Sequence, residues 1–221
     1  MKKWTACAIF WLMVSQLPGQ LRPADDDWLA YDLSWGYWTD APDFINFNLR
    51  SNNHTLSLLG SKYLFGPFHL GYGASFTSEN YHTNLRIESD PNSPAELYSI
   101  IDPAAEFDYN KITAKYFEIP VELRLQSEAN KSSRFWRLAL GFKGGVRFRG
   151  YSVFKDDNVK VRYAKISNLH RFRAGTYARV GFGWFNLYGY YSFTGLFDGG
   201  SVNGFDLSNT QALSFGISIT P

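Results

Sequence analysis

Charged residues at every second position along apolar stretches are the first candidates for chemistry. They are Glu118, Glu122 and Arg124 in one stretch, Arg137, Lys143 and Arg147 in the next, and Arg171, Arg173 and Arg179 in a third. Side chains two apart share one face of an extended chain. Carboxylates, an ammonium and guanidiniums gathered on one face form an ion network if that face is enclosed, because buried charges must be paired. The bases outnumber Asp32, Glu118 and Glu122, so the enclosed network is expected to be net positive. The histidines offer less. His54, His69 and His82 have no metal-ligand spacing, and His170 near Ser167, with Asp156 or Asp157, is the nearest approach to a nucleophile–base–acid set. That spacing is unspecific, so no catalytic residue, cofactor or metal is expected. Gly71-x-Gly73 and Gly141-x-x-Gly144-Gly145 have no following helix, and they read as close strand packing rather than phosphate loops.

The elements that must position these residues are strands. The chain has 221 residues, 18% aromatic, with 19 glycines, a mix that suits strands and turns over helical bundles. A net charge of +2 is too mild for a nucleic-acid binder. Apolar residues recur with period two. Phe117, Ile119, Val121, Leu123 and Leu125 alternate with Glu118, Glu122 and Arg124, and Trp136, Leu138, Leu140, Phe142, Val146 and Phe148 alternate with Arg137, Lys143 and Arg147. Eight such strands are expected, over 28–38, 55–65, 68–80, 112–126, 134–149, 168–181, 183–195 and 211–220.

Their connections alternate long and short, with Gly66-Pro67 and Gly181-Phe182-Gly183 among the short ones. That layout predicts an eight-stranded antiparallel up-and-down transmembrane β-barrel. Arg or Lys facing the bilayer midplane costs about 2–4 kcal/mol each, so the charged face points inward. An eight-stranded interior is just wide enough for side chains to fill. Trp28, Trp38, Trp136, Tyr151, Trp184 and Phe197, near strand ends, read as interface aromatics. The long connections are acidic, with Glu88, Asp90, Glu96, Asp102, Glu106 and Asp108 in one, and Asp40, Asp43, Asp156, Asp157, Asp198 and Asp206 in the others. They read as a solvated outer surface, or as one that bridges divalent cations to lipopolysaccharide phosphates or docks a basic partner.

Residues 1–19 read as a signal peptide, with Lys2 and Lys3 ahead of an apolar run from Trp4 to Leu17. The barrel domain is then 20–221. Removal of the leader takes away Cys7, the one cysteine, and brings the basic residues level with the 20 acidic ones. The exported chain would be free of disulfides and would depend on its sheet or on lipid for stability.

The segment Lys115-Tyr116-Phe117-Glu118-Ile119-Pro120-Val121-Glu122-Leu123-Arg124 resembles a strand of the PorT-like outer-membrane β-barrel proteins of Bacteroidota. Leu70 to Phe76, Gly141 to Val146 and Ser214 to Ile219 add to the likeness. The resemblance implies an outer-membrane, cofactor-free barrel, some members of the family serving secretion of surface proteins. A structural or adhesive barrel, or an accessory to a secretion or envelope complex, is the leading expectation, with outer-membrane lipid or lipopolysaccharide and a protein of such a complex as partners and no nucleic acid. Two alternatives stay open. One is a narrow anion-passing pore that depends on Arg147 and Arg173. The other is a soluble lipocalin-like barrel with Phe117, Leu140 and Phe142 around a cavity.

Overall fold

The computed structural model describes residues 29–89, 96–127, 135–156 and 159–220. The leader, Trp28, Asp90 and Asp157 lie outside them. The described residues form thirteen strands: β1 (Leu29–Thr39), β2 (Asn52–Phe65), β3 (Phe68–His82), β4 (Leu85–Ser89), β5 (Glu96–Ile100), β6 (Tyr109–Gln126), β7 (Trp136–Lys155), β8 (Lys160–Tyr163), β9 (Phe172–Phe182), β10 (Phe185–Gly195), β11 (Ser201–Val202), β12 (Phe205–Asp206) and β13 (Gln211–Ile219).

Eight of them make a ring. β1 pairs β2, then follow β3, β6, β7, β9, β10 and β13, and β13 pairs β1, every pairing antiparallel. A path through paired residues leaves β2 at Tyr63 and passes His69, Arg124, Ala139, Arg179, Tyr188, Gly216 and Ser34. It returns to β2 at Asn53. With ~3.3 Å per residue and ~4.8 Å between strands, this stagger tilts the strands by roughly 40°.

Two of the tight turns are set by glycine. Gly66 and Gly183 take φ of 53° and 60° at the first central position of two-residue turns, the position where a II′ hairpin needs glycine. Pro120 sits inside β6 with no N–H to give. The β3–β6 ladder accordingly runs from Phe68–Leu125 to Tyr72–Val121 and resumes at Ser75–Glu118, skipping the proline.

Alternation in burial settles which face is inside. On β1 the buried side is Ala30, Asp32, Ser34, Gly36 and Trp38, and on β6 it includes Tyr116, Glu118, Pro120, Glu122 and Arg124. Leu33, Phe117, Ile119, Leu140, Phe142, Leu187 and Ile217 stand exposed on the outer wall. Phe117 to Leu125 on β6 and Trp136 to Phe148 on β7 project to roughly 20–30 Å along the axis, the height of an apolar membrane band. The lipocalin-like alternative is thereby corrected: Phe117, Leu140 and Phe142 face outward, and the charges face in.

Several strands outrun their sequence-based bounds at the outer end, while β9, expected from 168, starts at Phe172. β7 continues to Lys155, where it pairs both β6 and β8, and β2 and β6 begin earlier than expected. Two hairpins, β4–β5 and β11–β12, form within the long connections.

Candidate functional site

The barrel interior holds the ion network in two linked groups. In the inner half Arg179 is the hub. Its Nε and Nη2 donate to Asp32 Oδ1 and Oδ2 at 3.1 and 2.9 Å, and its Nη1 donates to Glu122 Oε2 at 2.6 Å. Glu122 also accepts from the Tyr177 hydroxyl at 2.7 Å and from Arg124 Nε at 2.5 Å. Nearer the outer end Arg173 bridges Glu118 at 2.7 Å and Glu79 at 2.5 Å. Lys143 lies 3.3 Å from Glu118, the Thr77 hydroxyl donates to Glu118, and Tyr81 donates to Glu79 at 3.0 Å. Aromatic faces take the remaining cation surface, with the Arg173 guanidinium 3.9 Å from the Tyr116 ring and Lys143 4.2 Å from that of Tyr190.

These seven ions are drawn from five strands around the ring. Asp32 comes from β1, Glu79 from β3, Glu118 and Glu122 from β6, Lys143 from β7, and Arg173 and Arg179 from β9. The bonds of Arg173 and Arg179 therefore cross the lumen, between strands that are not neighbours in the ring. Glycine makes the room. A Cβ on Gly141 would sit 2.3–2.6 Å from the Tyr177 ring, and one on Gly71 would meet Glu122 and Arg124 within 3.0 Å. The gap bounded by Asp32, Pro120, Lys143 and Tyr188 has no room for a water-sized sphere.

Seven of the nine charged residues picked out by alternation, Glu118, Glu122, Arg124, Arg137, Lys143, Arg173 and Arg179, are buried inside the ring. Arg137 sits at the inner mouth, where it donates to the Thr220 hydroxyl. Arg147 and Arg171 are corrections. Arg147 turns to the outer end and donates to the carbonyls of Ile166, Leu169 and His170 at 3.0, 2.7 and 3.2 Å. Arg171 is exposed, because β9 starts one residue later. Alternation also missed Glu79, which follows Ser75 and Thr77 on the inward face of β3. With it, Asp32, Glu79, Glu118 and Glu122 match Arg124, Lys143, Arg173 and Arg179 one for one.

Above the ions the outer end is closed by an apolar core. Trp38 is its centre, with ring centroids 5.0 Å from Phe47, 5.1 Å from Tyr81 and 5.4 Å from Phe197. Leu85, Ile87, Ile112, Ile166, Leu169, Leu196 and Leu207 surround it. Long connections supply much of this layer, and hydrogen bonds tie them down. Ser152 donates to the Ile87 carbonyl at 2.7 Å, Asn110 to those of Thr83 and Leu85, and the Ser167 amide to Glu96. Tyr98 donates to Glu96 at 2.7 Å, and burial together with that carboxylate pushes its phenol above the usual range. Trp38 and Phe197 are thus crown residues and not interface aromatics. Trp136 and Trp184, each 64% exposed, occupy the inner rim as expected, and Tyr151 is half-buried on β7.

His170 lies 3.6 Å from Asp198; the Ser167 amide donates to Glu96 and the Asp156 amide to the Val159 carbonyl. Among the described residues no three His, Cys, Asp or Glu side chains gather as a metal would require. Of the acidic loop residues, Asp40, Asp43, Asp102, Glu106, Asp198 and Asp206 are exposed, while Glu88 pairs with Arg86 and Asp108 with Lys155.

Residues 34–198 match the family model described as outer membrane protein beta-barrel domain. The chain belongs to that family, and the apolar outer wall faces the hydrocarbon of an outer membrane. No curated protein and no solved structure matches the chain.

Proposed function

We propose that this outer-membrane barrel is a non-conducting anchor that holds an ordered crown at the cell exterior, as a structural or adhesive element or as an accessory to a secretion or envelope complex. The observation that carries this reading is the double closure of the lumen. Ion pairs cross it from wall to wall, and an apolar core lies above them. An ion in transit would have to separate charges at 2.5–2.9 Å in a low-dielectric interior, where such separation is most costly. The anion-passing alternative loses one of its two arginines, since Arg147 is engaged with loop carbonyls.

The crown supports the second half of the proposal. A barrel whose role ended at the membrane has no need of a hydrophobic core outside it, whereas a fixed surface presents the same acidic residues to a partner each time. The resemblance of residues 115–124 to PorT-like proteins of Bacteroidota favours the secretion-accessory form. No catalysis is proposed: the spacing of His170, Ser167 and Asp156 is unspecific.

Planar-bilayer recording on the purified full-length barrel tests the reading. Silence at applied voltage is expected from the native chain. Steady unitary openings that disappear on Arg173→Gln would overturn it in favour of the pore.

A further inference from the structure

Beyond the top of the apolar band, one sector of the outer wall is basic. Lys115 on β6 and Arg149 on β7 are direct register partners with outward side chains. Like charges directly opposite one another on a sheet repel. Arg162 on β8 joins them through Tyr151, whose ring lies 5.6 Å from the Arg149 guanidinium and 4.4 Å from that of Arg162. Among the described residues no carboxylate forms an ion pair with Lys115, Arg149 or Arg162. Asp108, on the same sector, is taken by Lys155.

The surroundings say what kind of anion would fit. Directly below, Phe76, Phe117 and Phe148 form a shelf on the lipid-facing wall, with centroids 4.6–5.8 Å apart. Lys115 Nζ stands 5.9 Å from the Phe76 ring. Cations therefore sit at headgroup level and rings at acyl-chain level. Arg171, exposed at the start of β9 beside the Phe172 ring, continues the basic sector next to β7, whereas the corresponding ends of β1, β2, β3, β10 and β13 offer Thr39, Asn52, Asn80, Tyr191 and Gln211, all uncharged. A general attraction to the membrane surface would not be confined to one side.

We propose that the outward face of β6, β7 and β8 binds the phosphate groups of an anionic lipid headgroup through Lys115, Arg149 and Arg162, with the lipid's acyl chains on the Phe76–Phe117–Phe148 shelf. Guanidiniums match phosphate oxygens in a two-pronged geometry, and a phosphate between Lys115 and Arg149 turns their repulsion into a shared attraction. The site depends on the membrane-facing assignment and is independent of whether the lumen conducts.

The test is native mass spectrometry of the full chain in detergent, with a diphosphorylated glucosamine-disaccharide lipid (lipid A) as probe. The native barrel is expected to retain one lipid. Lys115→Gln with Arg149→Gln should weaken retention about thirtyfold, from two surface charges, and Lys62→Gln at the opposite end should leave it unchanged. Barrel closure in each variant is read from heat-dependent gel mobility, and Arg162→Gln serves if the double variant does not close. Equal retention of the dephosphorylated lipid, or unchanged retention in the variants, overturns the site. Complete displacement by equimolar inorganic phosphate would assign it to the free ion and overturn the lipid reading.

Discussion

Arg179→Met tests whether the lumen is interlocked as described. Methionine keeps much of the volume but deletes the three N–H donors that hold Asp32 and Glu122. Glu122 keeps Arg124 and Tyr177, whereas Asp32 loses the one cation hydrogen-bonded to it among the described residues. The side chains of Asp32 and Arg179 are 1% and 3% exposed, so water cannot take over as it does for a surface pair. Removing one member of a buried pair costs about 3–5 kcal/mol. The companion variant Asp32→Leu with Arg179→Met removes both charges, and replacement of a whole buried pair by apolar groups is near neutral or stabilising. Urea unfolding of the barrel in lipid vesicles, followed by tryptophan fluorescence, measures both. The single variant should lose about 3–5 kcal/mol and the double variant should recover most of it. A loss below about 1 kcal/mol in Arg179→Met would mean a hydrated, loosely held pair and would refute the interlocked lumen. Failure of Asp32→Leu to rescue would place the damage in packing rather than charge.

Two further outcomes follow from the geometry. Gly141→Val drives a Cβ into the Tyr177 ring and should abolish the compact unboiled band on SDS gels, with recovery in Gly141→Val/Tyr177→Ala; a compact band in the single variant would show that the ring can move aside. Phe197→Ala removes a fully buried ring from the crown and should cost about 3–5 kcal/mol of local stability, read as new protease cleavage in residues 196–210 of intact vesicles while the heat-dependent shift persists; unchanged cleavage would show that the crown does not depend on its core.

Period-two alternation made the barrel wall readable because each strand buries one face and exposes the other for its whole membrane length. Ser75, Thr77 and Glu79 follow that rule as faithfully as Glu118 and Glu122 do. Glu79 was passed over only because it stands at the end of the run. The rule fails where strands leave the membrane. Between Lys115 and Tyr116 the β6–β7 register shifts, so Arg147 and Arg149 sit on either side of a bulge at Phe148, and parity no longer reports direction. Arg171 precedes the strand to which its parity assigned it. The crown was illegible for a different reason. Trp38, Tyr81 and Ile112 lie on the inward face, but Ile166, Leu169, Phe197 and Leu207 come from connections with no period, and their meeting is a tertiary fact. One signal was present and unread. Asn203-Gly204, both at positive φ (51° and 79°), forms the two-residue turn of the β11–β12 hairpin, and Asn-Gly is the sequence that turn favours.

The pairing of β1 with β13 has a consequence in time. The first and last strands of the ring are neighbours along Tyr31–Ile219 to Thr39–Gln211, so the wall cannot seal until the final segment of the chain has been delivered. Until then two edges carry unpaired backbone groups that hydrocarbon will not tolerate. The Asp32–Arg179 bond spans the seam as well, linking β1 to β9, the third strand on the far side of the join. Sealing of the wall and locking of the charges are therefore late and mutually dependent events. A chain shortened before Gln211 would not give a smaller barrel; it would give an unsealed sheet with an orphaned edge, a substrate for quality control.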